Sequence, residues 1–195
     1  MNKEQVSAVE GLMVGIGIGM EMGDQMHAKG LYQVKCYESE EGKLLWQDNI
    51  ENVVCTAGKN LALDTILAGS AYTVVGPYMG LISSVSYASV PVAADTMASH
   101  ATWLEAGSTN APTFTARVAP SWSAASAGSK ATSAAVSFTM TSAGTLKGAF
   151  LVFGTGAVTT LMSTAGTLLS AGLFSGGDQV VSSGNVVTVT YSLGL

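Results

Sequence analysis

The sequence predicts a mainly β protein of the sandwich or barrel class, and its second half carries that prediction. The stretch 108–195 holds 28 serines and threonines among 88 residues but only four charged side chains. Apolar residues alternate there with small polar ones, as they do in strands that bury one face. Glycine-containing turns separate these runs at spacings typical of sandwiches and barrels.

Composition limits the architecture and the partners. A chain of 195 residues fits one domain plus an arm. Only 11% of the residues are charged, so we expect partner subunits to cover much of the surface. Residues 1–51 hold nine acids and four bases, whereas residues 65–195 hold three of each. Because no basic stripe is present, we predict neither nucleic-acid binding nor binding to an anionic membrane.

Residues 1–30 are predicted to form an extended N-terminal arm, followed by a single β domain over 31–195. The glycines of the arm disfavour a helix, and its methionines are suited to irregular apolar contacts. The apolar run 11–20 is shorter than the roughly 20 residues of a membrane-spanning helix, and Glu4 and Glu10 argue against a signal peptide. A disordered tail is the alternative. The predicted interaction residues of the arm are Leu12, Met13, Val14, Ile16, Ile18, Met20, Met22 and Met26.

A hairpin is predicted next. In LYQVKCY, Tyr32, Val34 and Cys36 share one face, which we expect to be buried. SEEGK forms the turn, and LLWQDNIENVVC forms the second strand. The acids of the turn, Glu38, Glu40 and Glu41, are expected to be solvated.

One main helix is predicted over residues 56–68. Thr56 or Asn60 can accept free amides at its start, and Gly69 stands where a helix would stop. Its expected apolar stripe consists of Leu61, Leu63, Ile66 and Leu67.

Strands and turns follow the helix. VGPYMGLISS is a predicted strand with Pro77 near its start, where a missing amide is tolerated. The next stretch, 90–107, is a predicted loop, in which Asp95 caps a short helical turn through Ser99 and Trp103 anchors the loop on the core. Five further strands are predicted, in PTFTARVAP, SAAVSFTMT, TLKGAFLVFG, GTLLSAGLF and VVTVTYSLGL. TLKGAFLVFG is apolar nearly throughout, which indicates a central strand covered on both faces.

The residues provide little for catalysis, so we predict that the chain is not an enzyme and has no catalytic residue, metal or cofactor. His100 lies near Asp95 and Glu105 in sequence, but no motif joins them into a triad or a metal site. In GIGIGMEMG the first three glycines lie two positions apart. This spacing differs from the G-x-G-x-x-G of dinucleotide sites, so we do not predict nucleotide binding.

Tryptophans and cysteines are the remaining candidates. Trp46, Trp103 and Trp122 are predicted interface or core anchors, with a carbohydrate-binding platform as the alternative. Cys36 and Cys55 lie in apolar runs and are predicted to be buried free thiols, which fits an intracellular origin. A disulfide between them is the alternative.

Most of residues 31–195 resembles a family of tailed-bacteriophage virion structural proteins. The resemblance lies in LYQVKCYESEEGKLLWQDNIENVVCTAGKNLALDTILAGSAYT, GLISSVSY, AADTMASHATWLE, TLKGAFLVFG and VVSSGNVVTVTYSLGL. GKN-x-x-LD followed by AGSAYT is its most specific part, and the first 30 residues lie outside it. The resemblance is to podophage capsid cement or decoration proteins. It implies a jelly-roll-like β-sandwich, a homotrimer, and no catalytic residues.

The expected function is therefore that of a capsid decoration or cement protein, made in the cytoplasm of the host bacterium and located on the capsid surface of the virion. Its expected partner is the major capsid protein, in addition to its own copies. The alternative is a tail-, neck- or head-fibre-associated virion protein that anchors through its N-terminal arm.

Overall fold

A computed structural model of the chain describes residues 28–67 and 75–194. Within these ranges it contains ten strands and one helix. The elements are β1 (Lys29–Tyr37), β2 (Leu44–Val54), α1 (Thr56–Leu67), β3 (Tyr78–Ser83), β4 (Leu104–Glu105), β5 (Ser129–Ala131), β6 (Val136–Thr139), β7 (Gly144–Phe153), β8 (Thr167–Leu173), β9 (Gln179–Val181) and β10 (Val186–Gly194). The predicted arm residues 1–27 and the predicted helix stop Gly69 lie outside the described residues.

The strands form one antiparallel sheet, which confirms the mainly β prediction. Its order is β4-β3-β7-β8-β2-β1-β10-β5, with β6 also paired to β10 and β9 to β7. The predicted hairpin is present: Tyr32 lies opposite Ile50 and Cys36 opposite Trp46. β10 then pairs along the whole of β1, from Lys29 opposite Gly194 to Tyr37 opposite Val186.

The sheet curls over its main core, which makes it a jelly-roll-like β-sandwich. Side chains from β3 and β7 share one buried cluster with side chains from β1, β6 and β10, although β8 and β2 separate these two groups of strands in the sheet. A sheet whose two halves face the same core has to fold back on itself. The predicted alternation is confirmed, because Tyr32, Val34 and Cys36 are all buried.

The central strand β7 is covered on both faces, as predicted. Leu151 points into the main core, whereas Phe150 and Val152 point into a second cluster with Trp103 and Leu168. The segments that follow β3 and β7 contribute Met97, Trp103 and Ala157 to this second cluster. Successive residues of β7 therefore fill two different cores, which explains why its sequence is apolar nearly throughout.

The helix begins at the predicted Thr56 and is described to Leu67, but two leucines of its predicted apolar stripe are not buried in the domain. Gly58 lies against the backbone of Leu169 in β8, so the contact is made by a residue without a side chain. Leu63 and Leu67 are exposed, Leu67 by 78%. The stripe prediction was therefore wrong for these two leucines, because the helix approaches the sheet through the face that carries Gly58.

Two local predictions were also wrong. PTFTARVAP is a loop with one bridge, between Val118 and Met79, rather than a strand. Pro112 and Pro120 remove two amides that a strand ladder would need. The segment after Asp95 is a tight turn closed by the Thr96–Ser99 bridge, not a helical turn. Sequence periodicity does not separate these short turns from a turn of helix.

Candidate interaction surfaces

The three tryptophans occupy different places. Trp103 is fully buried, and its indole Nε1 donates to a carboxylate oxygen of Asp95 at 2.9 Å. Trp46 and Trp122 are partly buried against the main core. The ring of Trp46 lies edge-on to Phe174 at 5.6 Å, and that of Trp122 edge-on to Tyr191 at 6.2 Å. Because their ring partners differ, the three do not form one aromatic platform.

His100, Asp95 and Glu105 face separate partners. The imidazole Nδ1 of His100 lies 2.9 Å from the carbonyl oxygen of Trp103, and its ring stacks on that indole. Asp95 accepts the amide of Val92 as well as the Trp103 indole. Glu105 pairs with Arg117. Among the described residues, no group of three histidine, cysteine or acidic side chains is placed to hold a metal ion.

The Arg117–Glu105 pair is a buried junction between loops. Both guanidinium nitrogens that face Glu105 donate to its carboxylate, at 2.7 and 2.8 Å, and both side chains are almost fully buried. Arg117 also donates to the carbonyl oxygens of Val158 and Ser163. The amide of Met162 donates to the same carboxylate. The pair therefore fixes the loop after β7 against the loop after β4, and a lone Arg in PTFTARVAP gave no sign of this.

A cluster of hydroxyl groups links four strands inside the sandwich. The phenol of Tyr32 lies 2.6 Å from the hydroxyl of Ser170, which donates to the phenol of Tyr191 at 3.3 Å. Asn52 donates its amide to Tyr191. Burial raises the pKa of both phenols, so they remain neutral donors and acceptors. Alternation predicted that Tyr32 and Tyr191 are buried, but not that they meet.

Both cysteines are buried free thiols. Burial raises the pKa of each, Cys36 and Cys55, to about 11. The thiolate is the reactive form of cysteine, so neither side chain is poised for nucleophilic chemistry at neutral pH.

An opening in the sheet separates β2 from β9. β8 pairs with β2 only at Asn52–Val54, and the amide of Ser175 then donates to the carbonyl oxygen of Asn49. Nearer the hairpin turn, residues 44–47 of β2 have no paired strand on that side among the described residues. The opposite wall is Val180 of β9, whose carbonyl oxygen accepts the Trp46 indole at 3.1 Å. We call residues 44–47 together with Val180 the fork.

The fork exposes large apolar side chains. Val180 is 69% exposed and Leu45 48% exposed, and Leu44 is also exposed. Trp46 links the two walls through its hydrogen bond to Val180, and its ring is partly buried against the main core. Exposed apolar groups of this size that cluster together mark protein–protein contacts.

Hydrogen bonds to Asp48 close the inner end of the fork. Its carboxylate accepts the hydroxyl of Ser175 at 2.7 Å, the amide of Gly176 at 2.9 Å and the side-chain amide of Gln179 at 3.1 Å. Partial burial raises the pKa of Asp48, but these bonds and one from the Asn49 amide outweigh it, so the pKa is lowered below 3.8. The segment between β8 and β9 is therefore tied to β2.

A second exposed apolar surface lies around the helix. Leu63 and Leu67 are exposed on α1, and Val90 and Val92 are exposed in the segment whose Ala93 carbonyl accepts the first helical amide. Residues 28–67 and 75–194 contain no helix that is long and apolar enough to span a membrane.

Comparison of the chain with protein-family models, with curated proteins and with solved structures gave no match in any of the three.

Proposed function

We propose that this protein is a bacteriophage capsid decoration or cement protein that binds the outer surface of the major capsid shell and stabilises contacts between capsomers. The observation that carries the proposal is the exposure of apolar side chains around the helix, on a domain with few charges; they are Leu63, Leu67, Val90 and Val92. Apolar patches on a folded domain are typical of binding surfaces. The resemblance to virion proteins supplies the capsid as the partner.

The proposed mechanism is mechanical. A cement protein adds contact area across seams that internal pressure from packaged DNA would open. Each copy needs only modest affinity, because many copies on one shell act together. A rigid body is needed for this role. The two cores and the buried Arg117–Glu105 pair support that rigidity, since they fix the loops to the sheet.

In this proposal the chain acts by binding and carries no catalytic residue. The arm adds to the contact surface, because an extended peptide can complete an exposed sheet edge on a neighbour. Leu12, Val14 and Ile16 belong to its apolar residues.

Copy number in purified virions tests the proposal. Quantitative mass spectrometry of particles would compare this chain with the major capsid protein and, as a calibrant, with a portal or tail protein of known stoichiometry. A ratio near one copy per major capsid subunit is the expected result. A handful of copies per particle would overturn it and favour the tail-, neck- or head-fibre alternative. Absence from particles would overturn both.

A further inference from the structure

The fork has an unpaired backbone edge on β2. Peptide groups alternate in direction along an antiparallel strand. The carbonyl of Asn49 points away from β1, because it accepts the amide of Ser175. Gln47, two residues earlier, therefore presents its amide and carbonyl in the same direction, where no strand lies among residues 28–67 and 75–194. An unpaired edge of this kind is a template for another strand.

The other wall of the fork presents its backbone toward the same space. The amide of Ser84 donates to the carbonyl of Thr145, so the peptide groups of Thr145 face β3. Thr145 lies opposite Val180 in the β7–β9 pair, so the groups of Val180 point away from β7. Its carbonyl accepts the indole of Trp46. The backbone edges of β2 and β9 therefore face the same space, which the Trp46 side chain bridges.

The N-terminal sequence has the pattern of such a strand. Every even position from 12 to 22 is apolar, and positions 15, 17 and 19 are glycine. A strand with this pattern has one apolar face, and its other face lacks side chains from Gly15 to Gly19, between Met13 and Glu21. The apolar face matches the exposed Leu45 and Val180, and the glycine face would place no side chain against the Trp46 ring, which packs on the core. The apolar positions are Leu12, Val14, Ile16, Ile18, Met20 and Met22.

We propose that residues 12–22 of a second copy of this chain occupy the fork as an added strand. β1 begins at Lys29, whereas its other end, Tyr37, lies opposite Leu44 at the fork. The nine residues of β1 separate these two points by roughly 30 Å. Each chain therefore enters its domain at the end of the hairpin away from its own fork. Residues 23–28, which would connect the added strand to β1, span at most about 25 Å. This is less than the distance to the chain's own fork, so the fork of a neighbouring copy is the one within reach.

The resulting contact is head to tail, with the arm of one copy in the fork of the next. Contacts of this type produce a ring when the rotation closes, and a ring of three would be the trimer that the resemblance implies. The inference goes beyond the proposed function, since it concerns contacts between copies and can be tested without capsids. Its failure and that of the cement proposal are therefore distinguishable.

Sedimentation velocity of the full chain tests the two halves of the contact. We expect the unmodified chain to sediment as an oligomer. Two double variants should each sediment as a monomer with a mass of 19.8 kDa. They are Leu45→Lys/Val180→Lys in the fork and Ile16→Asp/Ile18→Asp in the arm. The matched control is Val90→Lys/Val92→Lys, which adds the same charges at comparably exposed valines and should remain an oligomer. A monomeric unmodified chain, or a fork variant that keeps its oligomeric mass, would overturn the proposal.

Cross-linking identifies the arm residues without depending on charge. Chains carrying Ile16→Cys or Ile18→Cys would be mixed with chains carrying Val180→Cys and oxidised; the native cysteines are buried. We expect a disulfide-linked dimer from the mixture and none when Asn2→Cys replaces the arm variant. If neither arm variant links to Val180→Cys in the mixture, or if linkage occurs only when both substitutions are on one chain, the second-copy proposal is wrong.

Discussion

At the scale of single residues, the buried Arg117–Glu105 pair makes the fold sensitive to the loss of either charge. Two charges removed from water are tolerated only while each satisfies the other. Here the carboxylate also accepts the Met162 amide, and the guanidinium also donates to two loop carbonyls. Removal of either charge leaves its partner buried and unpaired.

We expect Glu105→Gln to lower the free energy of unfolding by about 3–5 kcal/mol, because Arg117 would remain charged in the interior. Chemical denaturation followed by tryptophan fluorescence would measure the loss. The double variant Glu105→Leu/Arg117→Met is the control, since it removes both charges and should be less destabilised than Arg117→Met alone. A loss below about 1 kcal/mol for Glu105→Gln would show that water reaches the pair.

The lowered pKa of Asp48 predicts that the stability of the protein depends on pH in the acid range. Its folded-state pKa is lowered, so its contribution to stability is complete above the unfolded-state pKa of about 3.9 and is lost as the pH falls through the folded value. At pH 7, Asp48→Asn should cost about 1 kcal/mol, since the side chain is partly exposed. Denaturation of both proteins should show this difference shrinking below about pH 5. A difference that is constant down to pH 2.5 would contradict the assignment.

At the scale of elements, close backbone packing depends on glycine. Gly148 of β7 lies opposite β8, and a Cβ built on it would overlap the carbonyl oxygen of Gly172. Backbone atoms of a central strand pair cannot move aside without distorting both cores. The same reasoning explains why the helix approaches β8 through Gly58.

Gly148→Ala should therefore destabilise the protein by about 2 kcal/mol or more, because the added methyl group forces β7 and β8 apart. Thermal unfolding by circular dichroism would measure the change. Gly194→Ala is a matched control: the nearest atom to its added Cβ is the Lys29 carbonyl oxygen at 4.0 Å, so we expect a change within about 0.5 kcal/mol. Equal effects of the two substitutions would contradict the packing argument.

At the scale of the whole molecule, the two predicted parts of the chain should separate experimentally. Deletion of residues 1–26 removes no described contact of the sandwich. The truncated protein should still unfold in one cooperative thermal transition when followed by circular dichroism, because both buried clusters of the sandwich lie between Tyr32 and Tyr191. Its midpoint should fall only by the contribution of the contacts that the arm makes between copies. In the cement proposal the same deletion weakens co-sedimentation with capsids, because it removes the arm. Retained capsid binding after this deletion would show that the arm has no role in docking.

The features that could be predicted from the sequence are those that depend on local interactions. Alternation in LYQVKCY and VVTVTYSLGL determined the strands and their buried faces, because side chains of a strand alternate between its faces. The apolar run of β7 determined that it is covered on both sides. The helix predicted over residues 56–68 begins at Thr56 as expected and is described as far as Leu67.

Only the tertiary structure decided which strands are neighbours and which polar groups meet. The contacting pairs are separated in sequence: Arg117 is 12 positions from Glu105, Asp48 is 127 positions from Ser175, and Tyr32 is 138 positions from Ser170. No periodic sequence pattern relates residues at these separations. The exposure of Leu63 and the opening at Val180 also depend on how the sheet curls. The sequence by itself therefore determined the class of fold and its strand faces, whereas the surfaces available for binding arise from long-range packing.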